Sequence, residues 1–227
     1  PQEWNSTIDY ENKKVAVIGS GATAVTLVPQ IAKKASHVTM IQRSPTYIAS
    51  VPSKYKILHL LNYISPKFGY KIIRFTNILR QRRIYRRARR SPELVKDYLL
   101  GLVRDELPDF DIEKHFTPSY NPWEQRLCLA PDSDFFESIK QKRVSIETET
   151  IDSFSEKGVQ LDSGKLIEAD IIVTATGIKL QNFGGIRIFV DENEIDISKS
   201  FIYKSMMYTQ IPNFINTFGY INASWTL

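Results

Sequence analysis

The sequence predicts an α/β fold built on a parallel sheet, and three observations predict it. A run rich in β-branched residues, Lys13-Lys14-Val15-Ala16-Val17-Ile18, leads directly into Gly19-Ser20-Gly21-Ala22-Thr23-Ala24. Apolar residues then recur at helical spacing at Val25, Val28, Ile31, Ala32 and Ala35, before a second strand-like run, His37-Val38-Thr39-Met40-Ile41. Far downstream, Ala169-Asp170-Ile171-Ile172-Val173-Thr174-Ala175-Thr176-Gly177 reads as an apolar strand ending in small residues, as in a buried parallel sheet. Strand, glycine turn, helix and strand in this order make residues 13–45 a Rossmann-like dinucleotide-binding unit.

Each residue type in the turn has a physical reason. Gly19 allows the tight turn, Gly21 lets the backbone approach a pyrophosphate, and Ala24 lets the helix pack close to the strand. Ser20, Ala22 and Thr23 complete the turn, and the helix N-terminus offers unpaired N–H groups and a positive dipole end to phosphates. A glycine turn in some other α/β protein is the alternative. The second strand ends in Gln42-Arg43-Ser44-Pro45. An NAD site usually has Asp or Glu there, to bond the ribose 2′-hydroxyl; here a guanidinium is present instead, and Arg43 can pair with a 2′-phosphate. The expectation is NADP(H) over NAD(H), with Gln42, Arg43 and Ser44 among the cofactor-binding candidates. A solvated surface charge is the alternative for Arg43.

The remaining elements follow in order. Residues 1–12 form a polar linker. The pattern turns helical from Tyr47 to about Leu107, a large insertion that could wall a substrate site. Ser91-Pro92 marks a break and a new start, with Ser able to cap and Pro tolerated in the first turn. The helix after it carries Leu94, Val95, Tyr98, Leu99, Leu102 and Val103 on one face, and Leu107-Pro108 ends it. Asp109 to Pro131 is loop-like. Asp134 to Lys142 reads as a short helix and Val144-Ser145-Ile146 as a strand. Ile151 to Phe154 and Val159-Gln160-Leu161 alternate like strands, Ser163-Gly164 is a turn, and residues 186–197 suggest a strand pair around Asp191-Glu192-Asn193.

Composition narrows the class. The 227 residues suit one large domain or two small ones, and 42% apolar residues suit a globular core. No run of 18 apolar residues exists, so no membrane span is expected. The chain starts at Pro1 without Met or a signal peptide, the expected mark of a fragment. The single cysteine, Cys128, fits a reducing, cytoplasmic setting and reads as packing rather than as a nucleophile. His37, His59 and His115 lack metal-ligand spacing, so no metal is expected. The net charge of +5 is concentrated between Arg80 and Arg90. The exposed face of a surface helix is the favoured reading, over a patch for nucleic acid or anionic membrane.

Several motifs together resemble the class B flavin-dependent monooxygenases, most closely the Baeyer–Villiger type and its ethionamide-activating branch. They are Gly19-Ser20-Gly21-Ala22-Thr23-Ala24, Gln42-Arg43-Ser44-Pro45, the stretch His115 to Cys128, Asp170 to Gly177, and Tyr220 to Leu227. Trp4 sits where the family fingerprint F-x-G-x-x-x-H-x-x-x-W ends. The resemblance covers essentially the whole chain. It implies FAD, NADPH and O2, with NADPH reducing the flavin and a C4a-peroxyflavin delivering oxygen to a ketone or a sulfide. It places the family's catalytic arginine, which stabilises that anion, at Arg126; the alternative is a structural ion pair. It places the A-T-G motif at Ala175-Thr176-Gly177, where the NADP domain returns towards the FAD domain, and a strand approaching the flavin at Ile211 to Gly219. Gln125 stands where some relatives have a 2′-phosphate-binding lysine, which leaves Arg43 as the main contact; Lys54 or Lys56 could compensate.

The implied organisation is an NADP-binding domain at 13–177 and a partial FAD-type domain at 178–227. No second G-x-G-x-x-G is present, so the FAD pyrophosphate site would lie in a missing N-terminal half. The expectation is a chain that does not complete the reaction alone. An isolated NADP-binding module and an N- or S-oxygenating flavin monooxygenase are the alternatives, with no nucleic-acid partner expected.

Overall fold

The computed structural model describes residues 4–5, 7–53, 65–125, 127–177 and 182–217. His59, Lys54, Lys56, Arg126, Gly219 and the segment Tyr220 to Leu227 lie outside the described residues. The chain divides into two compact units, Pro1–Gly177 and Ile178–Leu227.

In the first unit, β1 (Lys14–Ile18) passes through the glycine turn into α1 (Ala22–Ile31) and back to β2 (His37–Gln42). β3 (Tyr47–Val51) precedes two long helices, α2 (Pro66–Arg90) and α3 (Pro92–Glu106). Then come α4 (Ile112–Phe116), β4 (Leu127–Pro131), α5 (Asp134–Lys140) and β5 (Val144–Thr148). An antiparallel meander, β6 (Ile151–Ser155), β7 (Gly158–Leu161) and β8 (Leu166–Glu168), returns the chain to β9 (Ile171–Thr174). The strands β5-β2-β1-β9 form a parallel sheet in that order, with Val15 opposite both Val38 and Ile171.

Both faces of this sheet are covered, which is why β1 and β2 read as apolar runs rather than alternations. On one face, Val15, Val17 and Met40 pack in a core with Val25 and Val28 of α1 and Phe135 and Phe136 of α5. On the other, Ala16 and Ile41 meet Val159, Leu161 and Ile167 of the meander. Each such large apolar side chain contributes about 1.5–3 kcal/mol on burial. Asp170 fastens the sheet's last strand back to its first, accepting from the Lys14 amide at 2.7 Å through Oδ2.

Several expectations are corrected here. The helical stretch does not begin at Tyr47: Tyr47–Val51 pairs in parallel with Leu127–Pro131. Its Tyr, Ile and Val side chains suit a strand, and Tyr47, Ile48 and Ala49 are buried. Asp109 to Pro131 is not all loop, because it supplies β4 and also α4, whose first turn is capped by Asp111 Oδ1 accepting from the Lys114 amide at 3.0 Å. Ser91 precedes Pro92 at the start of α3 but makes no side-chain cap bond. The face expected of α3 is split: Val95, Leu99 and Val103 are buried with Leu100, whereas Leu94 and Tyr98 face solvent. β9 is not fully buried. It pairs with β1 alone among the described strands, and Ile172 is exposed.

The second unit holds two small hairpins, β10 (Phe189–Val190) with β11 (Asn193–Glu194) and β12 (Ile202–Tyr203) with β13 (Met207–Tyr208). Arg187 donates twice to the Glu194 carboxylate, at 2.8 and 2.6 Å, across the first hairpin. The rings of Phe183, Tyr208 and Phe214 meet edge to face or tilted within 6.4 Å.

Candidate nucleotide-binding site

The candidate site lies at the carboxyl ends of three neighbouring parallel strands, the edge where open α/β sheets bind ligands. The turn after β1 begins at Gly19, whose φ of 131° lies in the region that favours glycine. A Cβ built there would collide with the Ala175 carbonyl. Gly19 is therefore required both by its own backbone and by the strand beside it. The Gly19 amide donates to the Ile41 carbonyl at 2.8 Å and the Ala175 amide to the Ile18 carbonyl at 2.7 Å. These two bonds sew the turn to the ends of β2 and β9.

Helix α1 starts at Ala22 with Gly21 as its N-cap and no side-chain cap bond. Ala22 and Thr23 are exposed and Ala24 is buried against the sheet. With no capping side chain, the first-turn amides stay available to an anion. The first turn contains no acidic residue to compete with one. Ser20 Oγ donates to the Ser44 carbonyl at 3.1 Å and so ties the glycine turn to the loop after β2. Arg43, in that loop, is exposed and makes no ion pair among the described residues. Thr176 and Gly177 follow Ala175 and are exposed, with Gly177 at φ 112°. The structure thus brings residues 19–24, 43–44 and 175–177 to one edge of the sheet.

Gln42 behaves differently from its neighbours. Its side chain is buried, and its amide nitrogen donates to the His115 carbonyl and to Thr148 Oγ1, both at 2.8 Å. It braces the loop from inside. His115 joins the same network through Nδ1 and Thr148 Oγ1 at 2.7 Å, and burial pushes its imidazole below the ordinary value. His37 meets Ser145 Oγ at 2.9 Å, and Cys128 is buried. No group of three His, Cys, Asp or Glu residues able to hold a metal ion occurs among the described residues.

A second cluster, missed by sequence reasoning, anchors the segment that precedes Arg126. Tyr47 donates its phenol to the Tyr120 carbonyl at 2.8 Å, and the two rings meet edge to face at 5.5 Å. Thr46 Oγ1 lies 2.9 Å from the Tyr120 hydroxyl. Burial pushes the Tyr47 phenol up to about 12. Next in the chain, Glu124 accepts from the Asn121 amide and side chain at 3.0 and 3.1 Å, which holds its carboxyl below the usual range. Trp123, between them, takes φ 68°. The only local hint of this clamp is the aromatic richness of the loop; its partners are remote in sequence.

No protein-family model matches the chain. A probable FAD-binding monooxygenase, AlmA, from Acinetobacter baylyi is 48% identical over all of this chain and 46% of its own length. The FAD-containing monooxygenase EthA of Mycobacterium tuberculosis is 47% identical over all of this chain and 47% of its own. The chain thus spans about half the length of these relatives. Among solved structures, FAD-bound OTEMO aligns with a TM-score of 0.61 and 18% identity, over 85% of this chain and 43% of that one. Cyclohexanone monooxygenase from Rhodococcus sp. Phi1, bound to NADP+, aligns at 0.56 and 20%, over 77% and 40%. The chain therefore shares the α/β fold of part of OTEMO and cyclohexanone monooxygenase, and along its whole length it is similar to about half of an FAD-containing monooxygenase.

Proposed function

We propose that residues 13–177 are the NADP(H)-binding domain of an FAD-dependent monooxygenase that uses NADPH and O2 to insert one oxygen atom into a ketone or a sulfide. Residues 178–227 belong, on this reading, to the returning FAD-type domain. The observation that carries it is the Gly19–Ala175 contact beside an uncapped helix start. The first-turn amides of that helix have no capping side chain and no acidic neighbour, an arrangement that suits a diphosphate. The amides of residues 22–24 would hold the diphosphate, with Gly21 allowing close approach. Arg43 would pair with the 2′-phosphate, and Gln42 would act as a positioning residue by holding that loop. Ser44, Ala175, Thr176 and Gly177 would line the cofactor's path. The bound flavin would supply the oxygen-activating chemistry. Arg126 would present a guanidinium to the negative charge that develops there, since it can stabilise an anion without giving up a proton.

Calorimetric titration with NADP+ and NAD+, repeated on Arg43→Ala, tests the reading. We expect tighter binding of NADP+, with its affinity falling about 10-fold or more in the variant while NAD+ binding is unchanged. Equal affinities for the two nucleotides in the unmodified chain would remove the role of Arg43. A second reading, a nucleotide-binding module without redox chemistry, is favoured by the single glycine-rich loop in this sequence. A flavin absorbance spectrum in the full-length protein would exclude it.

A further inference from the structure

Helix α2 concentrates the charge of the chain in one place. It holds two lysines, eight arginines and no carboxylate. The chain total is +5, so all other residues together carry −5. Among the described residues, no carboxylate lies within ion-pair distance of any of these cations. Like charges spaced three and four apart on a helix repel one another, so this face gains from an external anion.

The same helix shows water an apolar stripe. Phe68, Phe75 and Leu79 are 54%, 61% and 43% exposed. They stand at i, i+7 and i+11, on one side of the helix, and the stripe continues into exposed Arg82 and Arg86. Beside it, Leu79, Arg80, Arg83, Arg87 and Arg90 line an open groove of about 760 Å³. Guanidinium groups bind phosphate through paired hydrogen bonds. A surface with rings at one end and arginines at the other matches a lipid–water interface, where the rings enter the acyl boundary and the cations meet headgroup phosphates. A nucleic-acid duplex would satisfy the arginines and leave Phe68 and Phe75 in water.

We propose that α2 docks this chain on an anionic phospholipid surface, through Arg82, Arg83 and Arg86 on headgroup phosphates and Phe68, Phe75 and Leu79 at the acyl boundary. None of these residues belongs to the nucleotide site, so the docking stands or falls apart from it.

Co-sedimentation of the full chain with phosphatidylglycerol vesicles, phosphatidylcholine vesicles and a DNA duplex tests this. We expect phosphatidylglycerol to bind at least about tenfold more tightly than phosphatidylcholine. The variant Arg82→Glu/Arg83→Glu/Arg86→Glu should lose about a hundredfold of that binding, at roughly 1 kcal/mol per basic residue, while its NADP+ affinity is unchanged. A single Phe75→Trp variant should show a blue-shifted, quencher-protected fluorescence on phosphatidylglycerol vesicles, which does not depend on the triple variant folding. Equal binding to both lipids, full retention by the triple variant, an unshifted Phe75→Trp spectrum, or tighter binding to DNA than to phosphatidylglycerol would each overturn the proposal.

Discussion

The two units of this chain are made from similar residues and reach different ends. Pro1–Gly177 wraps a parallel sheet between helices on one face and a meander on the other. Phe116, Phe135 and Phe136 are at most 1% exposed there. In Ile178–Leu227, Ile211 alone among the described large apolar residues is buried, while Ile186, Phe189, Phe201 and Tyr203 are each more than half exposed. Its two hairpins have strands of two residues each. The lesson is that apolar content alone does not make a core; a second layer has to cover it. A short span exposes much surface for the volume it encloses, so it buries a smaller share of its apolar side chains.

The strongest way to break the comparison is to separate the units. We expect residues 1–177 to unfold cooperatively in calorimetry and residues 178–227 alone to show no cooperative transition. A sharp transition in the shorter piece would mean that its exposed rings find partners that this account lacks.

Paired truncations sharpen the contrast. Phe135→Ala should cost about 3–5 kcal/mol, the range for an aromatic removed from a packed core. Phe201→Ala, at 81% exposure, should stay within about 0.5 kcal/mol. Thermal melts of both variants read the difference. Gly19→Ala comes next. It forces an L side chain to φ 131° and against the Ala175 carbonyl, so we expect a loss of roughly 1–3 kcal/mol together with NADP+ binding.

The smallest effect expected is a pH effect. The Tyr47 phenol is raised from 10.0 to about 12 by burial. In that window the folded chain holds a proton that the unfolded chain has lost. The contribution of Tyr47 to stability is therefore full below pH 10.0 and declines as pH rises towards about 12. Tyr47→Phe should flatten that slope in chemical denaturation run across the window. It should also cost about 1 kcal/mol at neutral pH through the lost bond to Tyr120.

How legible the molecule was in its sequence depended on distance along the chain. β1, α1 and β2 were readable because neighbouring residues determine them: the β-branched runs, the glycine turn and the helical spacing are all local. β3 was missed because Tyr47–Val51 is a strand by virtue of β4, which lies beyond both long helices. The same holds within the site. Gly19 and Arg43 were nameable from a motif. That Gln42 turns inward to His115 and Thr148 follows from elements that the motif does not contain. The exposed Leu94 and Tyr98 mark the limit of periodicity, which shows that a helix is amphipathic without saying how wide its covered face is.

The bond between the Lys14 amide and Asp170 joins residues 156 positions apart, and it bears on the order of events during synthesis. The glycine turn is made more than a hundred residues before the strand that closes it. Parallel pairing over such a separation is entropically slow. A nascent chain that has emerged only as far as the meander has the glycine turn but not the wall against which Gly19 rests. On the proposed reading, nucleotide capture would wait for β9, which supplies that wall. The last strand of the unit acts as a latch, and the turn at Gly19 is closed only when that latch arrives.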